Sequence, residues 1–472
     1  MTTFMPRLWS LSSGRFHRQL QLRLQLWHKG LMTSSTTWQN QKQVCRQAPA
    51  VCQRSVPLVV FRRQLASQTV QSHVEVTSPI QQTWKEDPQR MLRVKFRDGS
   101  ENRYPYIWLR DNCFCPSCFL AGTKQRLITM NHLDVNVTPD SISLSKDGEL
   151  LTLIWPDGHR TEFKSGFLKG ILFEERRVSE NRHLWGSEIL QNVPTFQFQH
   201  ILDSDKALLG FMTELKNTGM LLVQNVPTEM GQLMKVAERV GFIRVTNYGP
   251  VYSIKSKFDA TTIGFTGHAL NLHTDLSCYV YKPSIQLLHC IKQHRGEGGD
   301  SVFSDGFKAV EQLKENDPES FNILSTTVVD FLDYGTDFIK CILKASHTII
   351  KLDQFGETSM VTYADFCRNV HMNMSPEKVY TFYKALKAFY DILNSPENII
   401  KFKLQPGEMI VVDNTRVLHG RTAFTVEAGE ERHLEGGYLD WDLVNARIRL
   451  LKQRFPSGRL VDERENEQID IV

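Results

Sequence analysis

No aspartate or glutamate occurs in the first 74 residues, although ten lysines and arginines do. The rest of the chain holds 46 basic against 52 acidic residues, so the overall charge of +4 belongs to this leader. A net-acidic body excludes nucleic-acid binding as the main function. No apolar run approaches the ~20 residues that a membrane span needs; "VPLVVF" and "MIVV" are among the longest. Internal repeats are absent too. Cysteine is sparse and odd in number, nine in 472 residues, with no secretory signal. That excludes a disulfide framework and implies a reducing compartment. Cys278, Cys290, Cys341 and Cys367 are scattered and read as small buried hydrophobes.

The leader, residues 1–75, is rich in Arg, Gln and Ser and has the composition of a mitochondrial transit peptide, either cleaved or disordered. A plain extension on a cytoplasmic protein is the alternative. Beyond it, short β segments separated by Asp-Gly turns ("LRVKFRDG", "ENRYPYIWL", "ISLSKDG", "ELLTLIWPDG") predict a small β domain over about 90–175. The stretch "DSDKALLGFMTELKNTG" has helical spacing, with Asp203 or Ser204 as a cap and Gly219 as a stop. The strand "MLLVQNV" follows. From 245 to 445 strands dominate, among them "SIQLLHCIK", "GEMIVVDN" and "RHLEGGYLDW". One clear helix opens at Ser375-Pro376 and presents Val379, Phe382, Tyr383, Leu386, Phe389, Tyr390 and Leu393 as its buried face. Many short strands with covering helices predict a mainly β chain with some α, whose larger domain, residues 190–460, is a jelly-roll barrel.

Two clusters carry chemistry. "DNCFCPSC" sets Cys113, Cys115 and Cys118 within six residues, which suits a tetrahedral zinc at about 2.3 Å per sulfur. His132 and His159 both qualify as the fourth ligand, and a closed Cys3His site is structural. The second cluster begins at "NLHTDLSCY". His273 and Asp275 lie two apart, so on a strand both would project from one face. His132 and Asp134 have the same spacing but no distal partner. "DNTRVLHGRTAF" supplies His419 for the first pair. Two histidines and one carboxylate on one face of an octahedral ion leave three positions open, the arrangement of non-haem Fe(II) oxygenases. A 2-oxoglutarate co-substrate and dioxygen would fill them. The far carboxylate of 2-oxoglutarate needs a bidentate cation, and Arg432 lies thirteen residues after His419. Arg421 rivals it on spacing but reads as a surface charge.

The motifs "YIWLRDNCFCPSC", "WPDGH", "HTD", "QLLHCIKQ", "DNTRVLHGR" and "RHLEGGYLDWDLVNARIRLLKQR" together resemble the gamma-butyrobetaine hydroxylase/trimethyllysine dioxygenase family over about residues 95–455. The resemblance implies a zinc-binding β domain followed by a double-stranded β-helix catalytic domain. It implies hydroxylation of a small trimethylammonium substrate in carnitine biosynthesis, gamma-butyrobetaine before trimethyllysine, with O2, 2-oxoglutarate and ascorbate as reductant. A homodimer that engages no nucleic acid and no membrane is expected. Matched positions make His273, Asp275 and His419 the iron ligands, and Arg432 with Ser301 the 2-oxoglutarate contacts. Cys113, Cys115, Cys118 and His159 match the zinc ligands, and Tyr248, Tyr252, Phe265 and Tyr438 an aromatic cage. Ring faces suit a quaternary ammonium because its nitrogen cannot donate a hydrogen bond. Thr262, Leu276 and Ala364 depart from the family at the opposite end of the substrate. A catalytically silent barrel whose zinc domain mediates interactions is the reading from another class; the His273/Asp275/His419/Arg432 set speaks against it.

Overall fold

The computed structural model describes residues 78–173, 182–255, 264, 266–335, 338–425 and 431–455. The leader, Thr262 and Phe265 lie outside the described residues. Chain order within the first sheet is β1 (Ile80–Glu86), β2 (Met91–Phe96) and β3 (Glu101–Pro105), all antiparallel. A second antiparallel sheet holds β4 (Ser141–Leu144), β5 (Leu150–Ile154) and β6 (Arg160–Lys164). Alternation builds the core between them. Leu92, Val94 and Phe96 point inward from β2, and Leu151, Leu153 and Phe163 meet them from the second sheet together with Trp155. Gly99, Gly148 and Gly158 close three of the four hairpins with positive φ, where a side chain would be strained.

Two details differ from the sequence reading. The sheet starts at Ile80, ahead of the expected boundary near 90. The segment "YIWL" is not strand but the start of helix α1 (Tyr106–Asp111), because Pro105 has no N–H to continue the ladder and ends β3. Helix α1 then leads directly into the cysteine loop.

In the larger domain β7 (Thr195–Gln197) and β8 (Met220–Gln224) flank helix α2 (Asp205–Thr218). The Ser204 side chain caps α2 by accepting from Ala207 N, and Gly219, at φ 74°, ends it. The other strands of the two main sheets are β9 (Val251–Lys255), β10 (Leu270–His273), β11 (Ile285–Lys292), β12 (Ser301–Asp305), β13 (Ile399–Phe402), β14 (Met409–Asp413), β15 (Val417–Arg421) and β16 (His433–Leu439). They form a six-stranded sheet in the order β9-β16-β11-β14-β8-β7 and a four-stranded sheet in the order β10-β15-β12-β13. Cys290, Ile410, Val412 and Leu434 of the first pack against Phe303, Ile400 and Val417 of the second. Strands β14 and β15 are consecutive yet lie in different sheets, so the chain crosses between layers at Asp413–Arg416. This is a jelly-roll type of sandwich.

Helices α3 (Gly306–Asn316), α4 (Pro318–Thr326) and α5 (Pro376–Leu393) cover the four-stranded sheet, sharing a core with Val302 and Leu418. Only α5 was expected. Of its proposed inner face, Phe382, Leu386, Phe389 and Leu393 are buried, but Tyr383 is 47% exposed and meets Arg368 instead.

The crossing is anchored by a buried ion pair. Arg416 donates from Nε to Asp305 Oδ1 at 3.0 Å and from Nη2 to Oδ2 at 2.7 Å, and its Nη1 reaches Asn217 O at 2.8 Å. Trp185 N and Phe307 N complete the carboxylate's partners. Replacing Arg416 with Met strands Asp305 in the interior and is expected to cost about 3–5 kcal/mol of unfolding free energy in urea titration. A loss below about 1 kcal/mol would mean that the backbone donors alone suffice.

Candidate active site

Strands β10 and β15 pair antiparallel with His273 directly opposite His419. The His273 Nδ1 proton is donated to Asn271 O at 2.8 Å, leaving Nε2 free to bind a metal. The two imidazole centroids are 4.3 Å apart. Asp275 Oδ1 lies 3.2 Å from His273 Nε2 and 3.6 Å from His419 Nε2. One ligand atom from each of the three residues therefore falls within a 4.8 Å cluster able to hold a metal ion.

The expected reason for this convergence was wrong for Asp275. The strand ends at His273, and Asp275 sits in the following turn, where Leu276 takes a left-handed φ of 55°. What places it is a tether that the sequence reading missed. Asn414 Oδ1 accepts from Asp275 N at 2.6 Å, while Asn414 Nδ2 donates to Asp275 O at 3.1 Å and Pro283 O at 2.8 Å. Tyr438 donates its hydroxyl to Asp275 Oδ2 at 2.7 Å, and Gln286 Nε2 donates to the same oxygen. Lys282, fully buried, secures the intervening residue through Thr274 Oγ1 at 2.9 Å and Val361 O at 2.7 Å. A glutamine and a lysine beside apolar strands, and an asparagine at a strand end, were the available signals.

Burial lowers the His419 pKa to about 3, helped by His273, so the imidazole is neutral. Burial works against ionisation of Asp275, but His419, His273 and the Tyr438 hydroxyl outweigh it and hold the carboxyl well below its usual range. A neutral imidazole at His419 facing an ionised carboxylate at Asp275 is the pairing that a divalent cation requires. Burial also lowers Lys282 to about 7.

The cluster opens into a cleft lined also by Ser301, Arg421 and Arg432. Arg421 is not a surface charge. It is 7% exposed, lies over Phe424, and donates to the carbonyls of Gly264, Thr266 and His268 at 3.2, 2.6 and 2.8 Å. Its guanidinium is therefore occupied in pinning the 264–268 segment. Arg432, 6% exposed, has no hydrogen-bond acceptor among the described residues, and its buried Nε is unpartnered. Burial brings both down to about 10, still cationic near neutrality. A buried guanidinium without an acceptor, lining a cleft, calls for an anionic ligand.

Tyr248, Tyr252 and Tyr438 stand together in the cleft, with ring centroids 5.3 and 5.6 Å apart in succession. Tyr252 donates its hydroxyl to Tyr438 at 2.9 Å. Gly436 makes room for this, since a Cβ there would lie 2.4 Å from the Tyr252 ring. Phe265 lies outside the described residues. Leu276 and Ala364 line the same cleft.

In the small domain, the Sγ atoms of Cys113, Cys115 and Cys118 lie 3.3, 3.6 and 3.5 Å from His159 Nε2. Those spacings match the roughly 3.6 Å edges of a tetrahedron with metal–ligand bonds of about 2.0–2.3 Å. Asp157 shapes the turn by accepting from His159 N at 2.9 Å, and Arg110 spans from Asp157 Oδ2 to Cys118 Sγ. His132 is exposed and engages Thr129, apart from this cluster. Burial pushes Cys113 up to about 11. Burial opposes the thiolate at Cys115 too, but Ser117 and Cys113 outweigh it and lower that thiol to about 7.

A jelly-roll sandwich with a two-histidine, one-carboxylate cluster beside a free buried arginine defines a 2-oxoglutarate-dependent dioxygenase. The chain belongs to the taurine catabolism dioxygenase TauD/TfdA family, which matches residues 178–438. A gamma-butyrobetaine hydroxylase-like N-terminal family matches residues 84–168. Gamma-butyrobetaine dioxygenases of Pongo abelii and Homo sapiens are 38% and 37% identical to it over 382 residues, 79% of this chain and 97% of theirs. The mitochondrial trimethyllysine dioxygenase of Homo sapiens is 33% identical over 356 residues, 74% of this chain and 83% of its own. The protein is thus a hydroxylating, iron- and 2-oxoglutarate-dependent enzyme.

Because Asn414 fixes both backbone atoms of Asp275, Asn414→Ala is expected to weaken divalent-cation binding by about 10- to 100-fold. Anaerobic Mn(II) titration of the purified protein measures this. Unaltered affinity would show that Tyr438 and Gln286 position the carboxylate without the tether.

Proposed function

We propose that the protein hydroxylates gamma-butyrobetaine to L-carnitine. In this reading His273, Asp275 and His419 hold the iron, and Arg432, with Ser301 beside it, receives 2-oxoglutarate. The observation that carries the reading is the Arg432 guanidinium, stacked on Phe424 but without a hydrogen-bond acceptor among the described residues, in the same cleft as the candidate metal cluster and three tyrosine faces. Ferrous iron and 2-oxoglutarate, when bound, supply the oxidising power to insert one oxygen atom of O2 into an unactivated C–H bond, with release of succinate and CO2.

The chain's own residues do the rest by positioning. Tyr438 and Gln286 occupy Asp275 Oδ2, which leaves Oδ1 toward the imidazoles. The Asn271 carbonyl fixes the His273 tautomer. The faces of Tyr248, Tyr252 and Tyr438 offer a trimethylammonium group about 0.5–2 kcal/mol each, and so decide which carbon lies nearest the metal. Cys113, Cys115, Cys118 and His159 hold a structural zinc with no open position, a reading their tetrahedral spacing supports. Ascorbate as reductant, a homodimeric state and a mitochondrial location complete the proposal. The last rests on the leader's composition and on the mitochondrial trimethyllysine dioxygenases among the relatives.

Trimethyllysine is the second reading. Leu276 and Ala364 favour neither substrate outright, because both stand where the family carries polar groups. The higher identity to gamma-butyrobetaine dioxygenases supports the first.

Succinate release measured side by side with Fe(II), ascorbate and each substrate is expected to favour gamma-butyrobetaine in kcat/KM by about tenfold or more. The opposite ranking would hand the assignment to trimethyllysine. His273→Ala is expected to abolish substrate-dependent succinate release, and normal turnover by that variant would reject the ligand set. One zinc per chain is expected by elemental analysis, lost in Cys113→Ser together with thermal stability. Zinc affinity should fall as pH drops below about 7, where Cys115 takes up a proton. Full zinc retention in that variant would remove the clasp.

A further inference from the structure

The hairpin of Val328–Gly335 and Cys341–Thr348 brings one carboxylate into the cleft that the reaction does not use. Along its first strand Phe331 and Gly335 are buried while Tyr334 is 62% exposed. Alternation therefore turns Asp333, midway between Phe331 and Gly335, inward. It lines the cleft with Tyr248, Tyr252 and Tyr438. Among the described residues no hydrogen bond and no ion pair engages this carboxylate. The contrast is Asp330 three positions earlier, which pairs with Lys344 at 2.8 Å and accepts from Ser346 at 2.6 Å.

The groups around Asp333 cannot neutralise it. Burial chiefly, and then the Asp333 charge, raise the Tyr248 hydroxyl above its usual range and push the Cys278 thiol up to about 12. Its neighbours are thus protonated and uncharged. The two cations that line the cleft, Arg421 and Arg432, form no ion pair with it. A carboxylate in a partly closed aromatic cleft loses hydration with nothing in return unless a cation enters. The cation must also sit against ring faces, because Tyr248 and Tyr252 form the adjoining wall.

We propose that Asp333 is the counter-charge for the substrate's quaternary ammonium, so that the receptor is an aromatic wall completed by an anion. This deepens the reading above and rests on it. The rings attract any large apolar head by burying it; the carboxylate adds the charge term that separates a trimethylammonium from a tert-butyl group of the same shape. It acts as a binding and specificity residue and takes no part in the oxidation.

The test measures Kd by anaerobic calorimetry for gamma-butyrobetaine and for 5,5-dimethylhexanoate, its isostere with an uncharged tert-butyl head, on the iron- and 2-oxoglutarate-loaded protein. Asp333→Asn is expected to weaken gamma-butyrobetaine by roughly tenfold and to leave the isostere within about twofold. Asp333→Glu, which keeps the charge, should recover most of the loss. Equal weakening of both ligands would mean a structural role and overturn the inference, as would no weakening of either. Asp333→Asn that harms only trimethyllysine would give Asp333 to a primary ammonium and likewise overturn it. A wild type that binds gamma-butyrobetaine with this pattern but does not oxidise it removes the proposed reaction and keeps Asp333. A wild type that binds no quaternary ammonium removes both.

Discussion

The antiparallel pairing of β10 with β15 sets everything else in the catalytic domain. It puts His273 across from His419 and fixes the separation of their imidazoles. A shift of one residue would turn one ring to the other face of the sheet. The register is held from outside by the crossing at Asp413–Arg416. There the buried Arg416–Asp305 pair locks the start of β15 to the end of β12, one strand further into the same sheet. The crossing also delivers Asn414 to Asp275, so one short segment positions two of the three clustered ligands.

Around this frame the site is assembled from polar groups tied to one another by hydrogen bonds. Gln286, Tyr438, Asn414, Lys282 and Thr274 bond to one another's neighbours until the Asp275 turn has little freedom. Arg421 spends its two Nη groups on backbone carbonyls. Arg432 and Asp333 stand out as unspent charges of opposite sign in one cleft. A cleft with a cation and an anion beside the His273/Asp275/His419 cluster and the three tyrosines can take ligands of both charges at once. Preorganisation of this kind removes reorganisation cost at the moment of reaction.

Much of this was readable beforehand. Period-2 alternation located strands where a sheet has one dry face, as β2 and β5 illustrate, whereas β12, β14 and β15 are buried on both faces and carry no such signal. The three cysteines were legible from spacing alone, whereas His159 was preferred to His132 only by the family resemblance, and the turn at Asp157-Gly158 brings it to the thiols. Helices α3 and α4 were missed although their caps were present. Asp305 accepts from Phe307 N, and Asp317 precedes Pro318 and accepts from Ser320 N. A chain rich in strands on either side masked two short amphipathic helices.

The sequence by itself determined the chemistry available: two histidines and a carboxylate, three thiols and a histidine, aromatic residues, and two arginines after the distal histidine. Only the tertiary structure decided which of those arginines is free, and that Asp275 is positioned by a turn and an asparagine rather than by strand periodicity. It alone brought Asp333 to the substrate cleft. The physical reason is that residue type and local spacing set what a side chain can do. Whether its charge is already satisfied depends on neighbours far away in the chain, which only packing brings within hydrogen-bonding distance.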